Sequence, residues 1–239
     1  MLHATRGIVL KTVKYSESSI IAKIYTEKFG LRSYIAKGVT GKKSHHKKSL
    51  FQGLSLLNLV VYEKSTAGLQ NIREMEPALI FKSIPYDIRK STIAMFLNEV
   101  MYKSMVEEVA NREMFSFIFN RLQKLDTSDV SISEYHIRFL IDFSGYLGFW
   151  PRNNFSDKNR VFDMQEGIFV SEEPLHKNFL DGETSRNFSM ALQNTPGRIC
   201  PTQQRRNELL EKIILYYSLH VPAFGELKSY EVLKQVLNS

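Results

Sequence analysis

The feature that most constrains the fold of this chain is a change in the spacing of its apolar residues near position 77. Before that point, short apolar runs alternate with polar residues, which is typical of β-strands. From Ile93 onward, apolar residues recur at spacings of three and four, which is typical of helices. The pattern predicts an α+β protein, with a β domain at residues 1–78 and a helical domain at residues 79–239.

Five strand-like segments occupy about the first 75 residues of the chain. They begin near Gly7, Ile20, Leu31, Leu54 and Leu69, and turn-forming residues separate several of them. Five short strands in so short a stretch suggest a small barrel.

The helical part is interrupted by one stretch without periodicity. Two helical patterns follow Ile93, and Ser131 to Glu134 offers a capping box for a third helix. Residues 149–182 then lack a helical repeat and contain a hairpin-like insertion, with Arg160–Phe162 facing Gly167–Val170. Helical spacing returns near Leu209 and continues towards the C-terminus.

The positive charge of the chain is concentrated in its first part. Residues 1–73 contain thirteen Lys or Arg and three acidic residues, a net charge of +10, whereas the remainder carries −3. Such asymmetry indicates nucleic acid or an anionic membrane as a partner, although many basic proteins are merely soluble. No run reaches the roughly 18 apolar residues of a membrane span. With a single cysteine, a reducing, cytoplasmic setting is expected, and a DNA partner would place the protein at the nucleoid.

The segment AKGVTGKKSHHKKS, from Ala36 to Ser49, concentrates this charge further. It contains five lysines and two glycines but no acidic residue, so its charges repel one another unless a polyanion neutralises them. We predict that the segment clamps a polyanion, with nucleic acid as the expected one; the alternative is a solvated loop. The candidate nucleic-acid-binding residues of this segment are Lys37, Lys42, Lys43, Lys47 and Lys48.

Four further candidates lie on the second and third strands. If Ile24 and Ile35 face the barrel interior, strand alternation points the four side chains outward together. They would add cations and aromatic faces for bases to stack on. The alternative for the two tyrosines is burial in the core. These candidates are Lys23, Tyr25, Arg32 and Tyr34.

The sequence predicts no enzyme and no cofactor. The segment Gly38–Ser44 lacks the spacing of a phosphate-binding loop. His45 and His46 lie among lysines, without nearby acidic residues to complete a metal site. A single cysteine excludes a cysteine-based metal cluster. We therefore assign no catalytic, cofactor-binding or metal-binding residue.

A set of short motifs extends along nearly the whole chain. They are Tyr15-Ser16-Glu17-Ser18-Ser19, Thr26, Gly30, Ala36-Lys37-Gly38, Gly145-Tyr146-Leu147-Gly148-Phe149 and Leu227-Lys228-Ser229. No single motif is diagnostic, but their ordered set resembles the RecO family, bacterial recombination mediators of DNA repair.

The resemblance implies an OB-fold, a small β-barrel that binds nucleic acids, followed by an all-α domain. It also implies binding to single- and double-stranded DNA, strand annealing, and two protein partners: RecR and the C-terminal tail of single-stranded DNA-binding protein. The resemblance further implies that the three proteins together help load RecA onto single strands coated by single-stranded DNA-binding protein. An OB-fold RNA-binding factor of translation or ribosome assembly remains the alternative.

The chain departs from the family in the hairpin insertion. Many members carry two Cys-x-x-Cys pairs there that bind zinc, whereas residues 149–173 contain no cysteine and the nearby histidine is His176. We therefore predict that zinc is absent and that side-chain packing holds the hairpin. The candidate packing residues are Trp150, Phe155, Phe162 and Phe169.

Overall fold

A computed structural model describes residues 1–39, 48–63, 68–105, 109–128, 132–193, 199–200 and 202–238. The chain folds into two compact units, Met1–Ser128 and Asp129–Ser239. The barrel thus shares its unit with the first two helices of the helical region, whereas the division suggested by sequence periodicity lies at residue 78.

The N-terminal unit contains a closed five-stranded barrel, as the sequence predicted. The strand order is β1-β2-β3-β5-β4, with β3 and β5 parallel and the other neighbours antiparallel. The fold class is therefore confirmed as an OB-like barrel followed by helices. The strands are β1 (Leu2–Lys14), β2 (Ser19–Thr26), β3 (Gly30–Lys37), β4 (Leu56–Tyr62) and β5 (Gln70–Leu79).

Alternate residues of the strands fill the barrel interior. Val9, Ile24, Tyr34 and Leu59 belong to one buried cluster. Gly7 lies among them because no side chain would fit: a Cβ there would be 2.6 Å from a methyl group of Ile24. The interior is therefore closely packed along β1.

Two helices belong to the same unit, α1 (Ile88–Ser104) and α2 (Arg112–Thr127). The amide of Asn98 on α1 donates a hydrogen bond to the carbonyl oxygen of Leu10, at 3.1 Å. Phe115 on α2 packs against Tyr25, with ring centroids 6.0 Å apart. Because helices cover part of the outer surface, some strand residues are buried on both faces, and β1 contains a continuous apolar run.

A hydrogen-bonded bracket fixes the segment between the barrel and α1. The Asp126 carboxylate at the end of α2 accepts hydrogen bonds from the backbone N–H groups of Lys82, Ser83 and Ile84. The Lys90 ammonium reaches the Asp126 carbonyl oxygen at 3.0 Å. Burial alone would raise the pKa of Asp126, but the three N–H donors together lower it. The connection is therefore part of the folded unit rather than a loose linker.

The C-terminal unit combines four helices with a small three-stranded sheet in its described part. The sheet order is β7-β6-β8, with Val161 opposite Val170, as the hairpin prediction required. β8 and α4 were not predicted from the sequence. The elements are α3 (Tyr135–Tyr146), β6 (Val161–Asp163), β7 (Ile168–Val170), β8 (Phe179–Leu180), α4 (Gly182–Leu192), α5 (Gln203–His220) and α6 (Lys228–Asn238).

Aromatic rings hold this sheet, which confirms the packing prediction for three of the four candidates. The ring centroid of Phe162 lies 4.9 Å from that of Phe169 and 4.6 Å from that of Phe188. Phe155 packs edge-on against Phe169 at 5.4 Å. Trp150 is 52% exposed and packs over Gly145.

The capping-box prediction for α3 is wrong at Glu134. Glu134 occupies the cap position without a side-chain cap hydrogen bond, and Ser131 lies outside the described residues. The Glu134 carboxylate instead accepts hydrogen bonds from the backbone N–H groups of Ile199 and Cys200, at 2.9 and 3.0 Å. A long-range contact therefore replaces the local one.

Candidate nucleic-acid interface

The strands β1, β2 and β3 leave part of their outer surface open, and lysines occupy it. Lys11 on β1 lies directly opposite Lys23 on β2. Opposite residues share one face of a sheet, and the neighbouring pair Val9 and Ile24 is buried in the core. Both lysines therefore point outward. The cationic face is defined here as Lys11, Val13 and Tyr15 of β1 and its turn, Lys23 of β2 and Lys37 of β3.

Two positive charges directly across a strand pair repel each other. The Lys11 ammonium contacts Tyr102 of α1, 3.2 Å from the hydroxyl and 4.6 Å from the ring centroid. No ion pair with a described residue involves Lys11, Lys23 or Lys37. An anion bound at this face would relieve the repulsion.

The lysine-rich segment starts beside this face. The N–H of Val39 donates a hydrogen bond to the carbonyl oxygen of Ser18 in the β1–β2 turn, at 2.9 Å. Val39 and Phe51 are both buried in the barrel core, so the described flanks of the segment are anchored. Lys37 and Lys48 are exposed. The candidates Lys42, Lys43 and Lys47 lie outside the described residues.

The prediction that four strand side chains point outward together is wrong. It assumed that Ile24 and Ile35 share the interior, but Ile24 lies opposite Arg32, and Ile35 lies opposite Ile21 on the outer face. Lys23 and Tyr25 are therefore on the outer face, whereas Arg32 and Tyr34 are on the inner one. The four candidates are split between two sides of the sheet.

Both tyrosines are buried, as the alternative reading held. Tyr25 lies under α2 and donates a hydrogen bond from its hydroxyl to the carbonyl oxygen of Asn111, at 3.0 Å. Tyr34 belongs to the barrel core. Burial raises the pKa of Tyr25 to about 12 and raises the pKa of Tyr34 further. Neither ring presents a face on which a base could stack.

Arg32 differs from the lysines because a carboxylate holds it. Its Nε lies 3.3 Å from Glu63, whose side chain is only 10% exposed. The Tyr34 hydroxyl donates to the same carboxylate at 3.2 Å. Because its charge is paired with Glu63, Arg32 stabilises one end of the barrel rather than offering a charge to an external anion.

Sequence reasoning missed three members of the cationic face, Lys11, Val13 and Tyr15. Val13 is 54% exposed and Tyr15 59% exposed. Their spacing of two along β1 was a usable signal, but the strand is irregular between Val9 and Lys11. Such a bulge reverses the faces of the residues that follow it. Counting from the apolar run Gly7–Leu10 therefore assigns the wrong face to them.

A groove of 610 Å³ lies elsewhere on the barrel, along β1, β4 and β5. The Arg6 guanidinium forms two hydrogen bonds with Glu27 there, both at 2.9 Å, and stands over the rings of two α2 phenylalanines. Three carboxylates line this acidic groove. They belong to Glu27, Glu74 and Glu76.

Reactive groups of the C-terminal unit are deeply buried. Burial, together with the nearby Glu134 carboxylate, raises the pKa of the Cys200 thiol to about 11. Burial and the charge of Arg206 lower the pKa of His136 to about 3. Among the residues that the structure describes, no group of three His, Cys, Asp or Glu could hold a metal ion, and no helix is long and apolar enough to cross a membrane.

Comparison with known proteins matches both parts of the chain to the same family. The profile described as "Recombination protein O N terminal" matches residues 1–81, and "Recombination protein O C terminal" matches residues 85–231. The DNA repair protein RecO of Phocaeicola vulgatus is 35% identical over 241 residues, covering 100% of both chains. RecO of Flavobacterium psychrophilum is 34% identical over 98% of both, and that of Porphyromonas gingivalis is 25% identical over 100% of both.

Proposed function

The chain belongs to the RecO family of DNA repair and recombination proteins, and we propose that it holds DNA on the cationic face of its barrel. One observation carries this proposal: Lys11 and Lys23 lie directly opposite each other on an open surface, without a carboxylate from the described residues. Phosphates of a nucleic-acid backbone supply the missing negative charge, and counterions released from the nucleic acid favour binding.

The lysine-rich segment extends this proposed interface. Lys37 belongs to the cationic face, and the chain continues from Val39 into the segment that contains Lys42, Lys43, Lys47 and Lys48. We propose that these lysines also neutralise phosphates of a bound strand. The neutralised strand could then approach a complementary strand, which would account for annealing.

We further propose a mediator role without an enzymatic step. In this role the protein works with RecR and with the tail of single-stranded DNA-binding protein to help load RecA, the partners that the resemblance to the RecO family implies. The burial of Cys200 and His136, with pKa values shifted towards their neutral forms, is consistent with structural roles for both.

We also propose that the small sheet of the C-terminal unit needs no zinc. Phe155, Phe162, Phe169 and Phe188 make the ring contacts that hold β6 and β7 together. A chelator should leave the melting temperature unchanged, and a clear decrease would contradict this proposal.

The test replaces Lys11, Lys23 and Lys37 together by Ala. If each lysine neutralises one phosphate of a single strand, affinity should fall roughly 100-fold near 0.1 M salt, and the salt slope should flatten by about 2. Fluorescence anisotropy with a labelled oligonucleotide over a salt series measures both quantities. The matched control replaces Lys82, Arg89 and Lys124, which are exposed outside the barrel strands.

Three outcomes decide between the proposals. Equal losses in the two triple variants would show that binding depends on net charge rather than on this face. Unchanged binding in the first variant would contradict the proposed interface. A preference for RNA over DNA of equal length and sequence would favour the alternative of an RNA-binding factor.

A further inference from the structure

We infer that Tyr15 is a base-stacking platform that makes the cationic face favour single strands over duplex DNA. The inference rests on the proposed function, since it assumes that phosphates lie on the neighbouring lysines. It assigns to Tyr15 a role in choosing the form of the nucleic acid rather than in general attraction.

The position of Tyr15 is fixed although its side chain is open. Its backbone N–H donates to the carbonyl oxygen of Ser19 at 3.0 Å, and Ser18 accepts from the anchored Val39. The side chain is 59% exposed and makes no hydrogen bond or ring contact with the part of the chain that the structure describes. The backbone is thus ordered before a ligand arrives, which lowers the entropic cost of binding.

Tyr15 also continues the row of Lys11 and Val13 along β1. Residues two apart on a strand lie about 6.6 Å apart and on one face. The row therefore presents a cation, an exposed aliphatic side chain and an aromatic ring over about 13 Å. A charged groove combined with aromatic faces is the arrangement that binds single strands.

The ring distinguishes single strands from duplexes for a physical reason. In a duplex the bases already stack on one another, so contacts from outside fall mainly on phosphates and groove edges. In a single strand a base can leave its neighbours and stack on an aromatic ring, which stabilises the complex. Tyr15 should therefore stabilise the single-strand complex alone.

The experiment compares Tyr15→Ala and Tyr15→Phe with the parent protein on three probes. The probes are an oligothymidylate, a duplex of the same length, and a strand of the same length made of abasic nucleotides. Tyr15→Ala should weaken binding to oligothymidylate about tenfold and leave the other two affinities unchanged. Tyr15→Phe keeps the ring and should bind oligothymidylate within about twofold of the parent.

The matched control is Tyr86→Ala, because Tyr86 is 87% exposed in the same unit but outside the barrel strands. It should change none of the three affinities. Equal losses on all probes for Tyr15→Ala would overturn the inference, since Tyr15 would then only shape the turn. No loss on oligothymidylate would overturn it as well.

The lysine variants separate this inference from the proposed function. Suppose that replacing the three lysines weakens binding to all three probes, whereas replacing Tyr15 changes none of the affinities. The proposed interface would then be supported, and the stacking role of Tyr15 would be wrong. If the lysine variants bind normally, the proposed interface itself fails.

Discussion

The cationic face and the acidic groove share strand β1 but hold their cations in different ways. In the groove, Arg6 has a bidentate partner in Glu27 and lies 5.0–5.3 Å from the ring centroids of Phe115 and Phe119. On the cationic face, Lys11 contacts a tyrosine but no carboxylate among the residues that the structure describes, and it faces Lys23. A cation whose charge is satisfied within the fold stabilises the fold. A cation left without a carboxylate is available to a ligand.

Removing one cation from each of the two regions should affect stability in one case and DNA binding in the other. Arg6→Ala loses two charge-assisted hydrogen bonds and its contacts with two rings, so the free energy of unfolding should fall by about 2 kcal/mol. DNA affinity should stay near that of the parent. Lys23→Ala should change stability by less than about 0.5 kcal/mol while weakening DNA binding.

The measurement must follow the N-terminal unit alone. Trp150 is the single tryptophan of the chain and lies in the C-terminal unit, so its fluorescence serves as an internal control. Hydrogen exchange of the barrel strands reports the unit of interest. If Lys23→Ala destabilised the barrel as much as Arg6→Ala, the division between the two kinds of cation would be wrong.

A second prediction concerns Arg32, which lies on the inner side of β3, at one end of the barrel, and is held by Glu63. Glu63→Gln removes the counter-charge and should cost about 1 kcal/mol of stability. If the released guanidinium then reaches a phosphate, affinity for single strands should rise up to about fivefold near 0.1 M salt. Arg32→Ala combined with Glu63→Gln is the control, and a gain that survived in it would have another source.

The smallest expected effect is the pH dependence of the Arg6–Glu27 pair. The hydrogen bond from Arg6 lowers the pKa of Glu27 below 4.5. A depressed carboxyl pKa contributes stability above the unfolded value and loses it as the pH falls through the folded value. The stability difference between parent and Arg6→Ala should therefore be constant from pH 7 to 5 and shrink below pH 4.5.

Because both side chains of this pair are partly exposed, the pH-dependent part should stay below about 1 kcal/mol. Urea unfolding at several pH values measures it. The corresponding difference for Lys23→Ala should be flat across the same range, since no carboxylate of the described residues pairs with Lys23. A slope for Lys23→Ala would reveal a partner.

Sequence reasoning succeeded where short-range patterns determine the structure. Alternation predicted the five strands, helical spacing predicted α1, α2 and α3, and the hairpin of β6 and β7 paired as expected. Lys23 was correctly expected to point outward, whereas Lys37, expected in the loop, is the last residue of β3. These features depend on which residues are apolar and on their spacing, which the sequence displays directly.

It failed where the outcome depends on register or on distant contacts. A bulge at Leu10 and the pairing of Ile24 with Arg32 determine which residues of β1 and β3 face outward. Neither feature can be recognised from the sequence of a single strand. Tyr25 is buried because α2, about 90 residues further along, covers it. The Glu134 carboxylate accepts a hydrogen bond from the backbone of Ile199 rather than capping its own helix.

The Asp126 bracket has a consequence for the order of synthesis. The barrel strands end at Leu79, yet Asp126, which binds the backbone of Lys82 to Ile84, is made 47 residues later. At roughly 5–20 residues per second, the ribosome needs roughly 2–10 s to deliver it. During that interval the helix-covered surface of the barrel, including Ile8 and Tyr25, has no cover. We therefore expect the nascent barrel to expose apolar surface at Tyr25 until α2 has emerged from the exit tunnel.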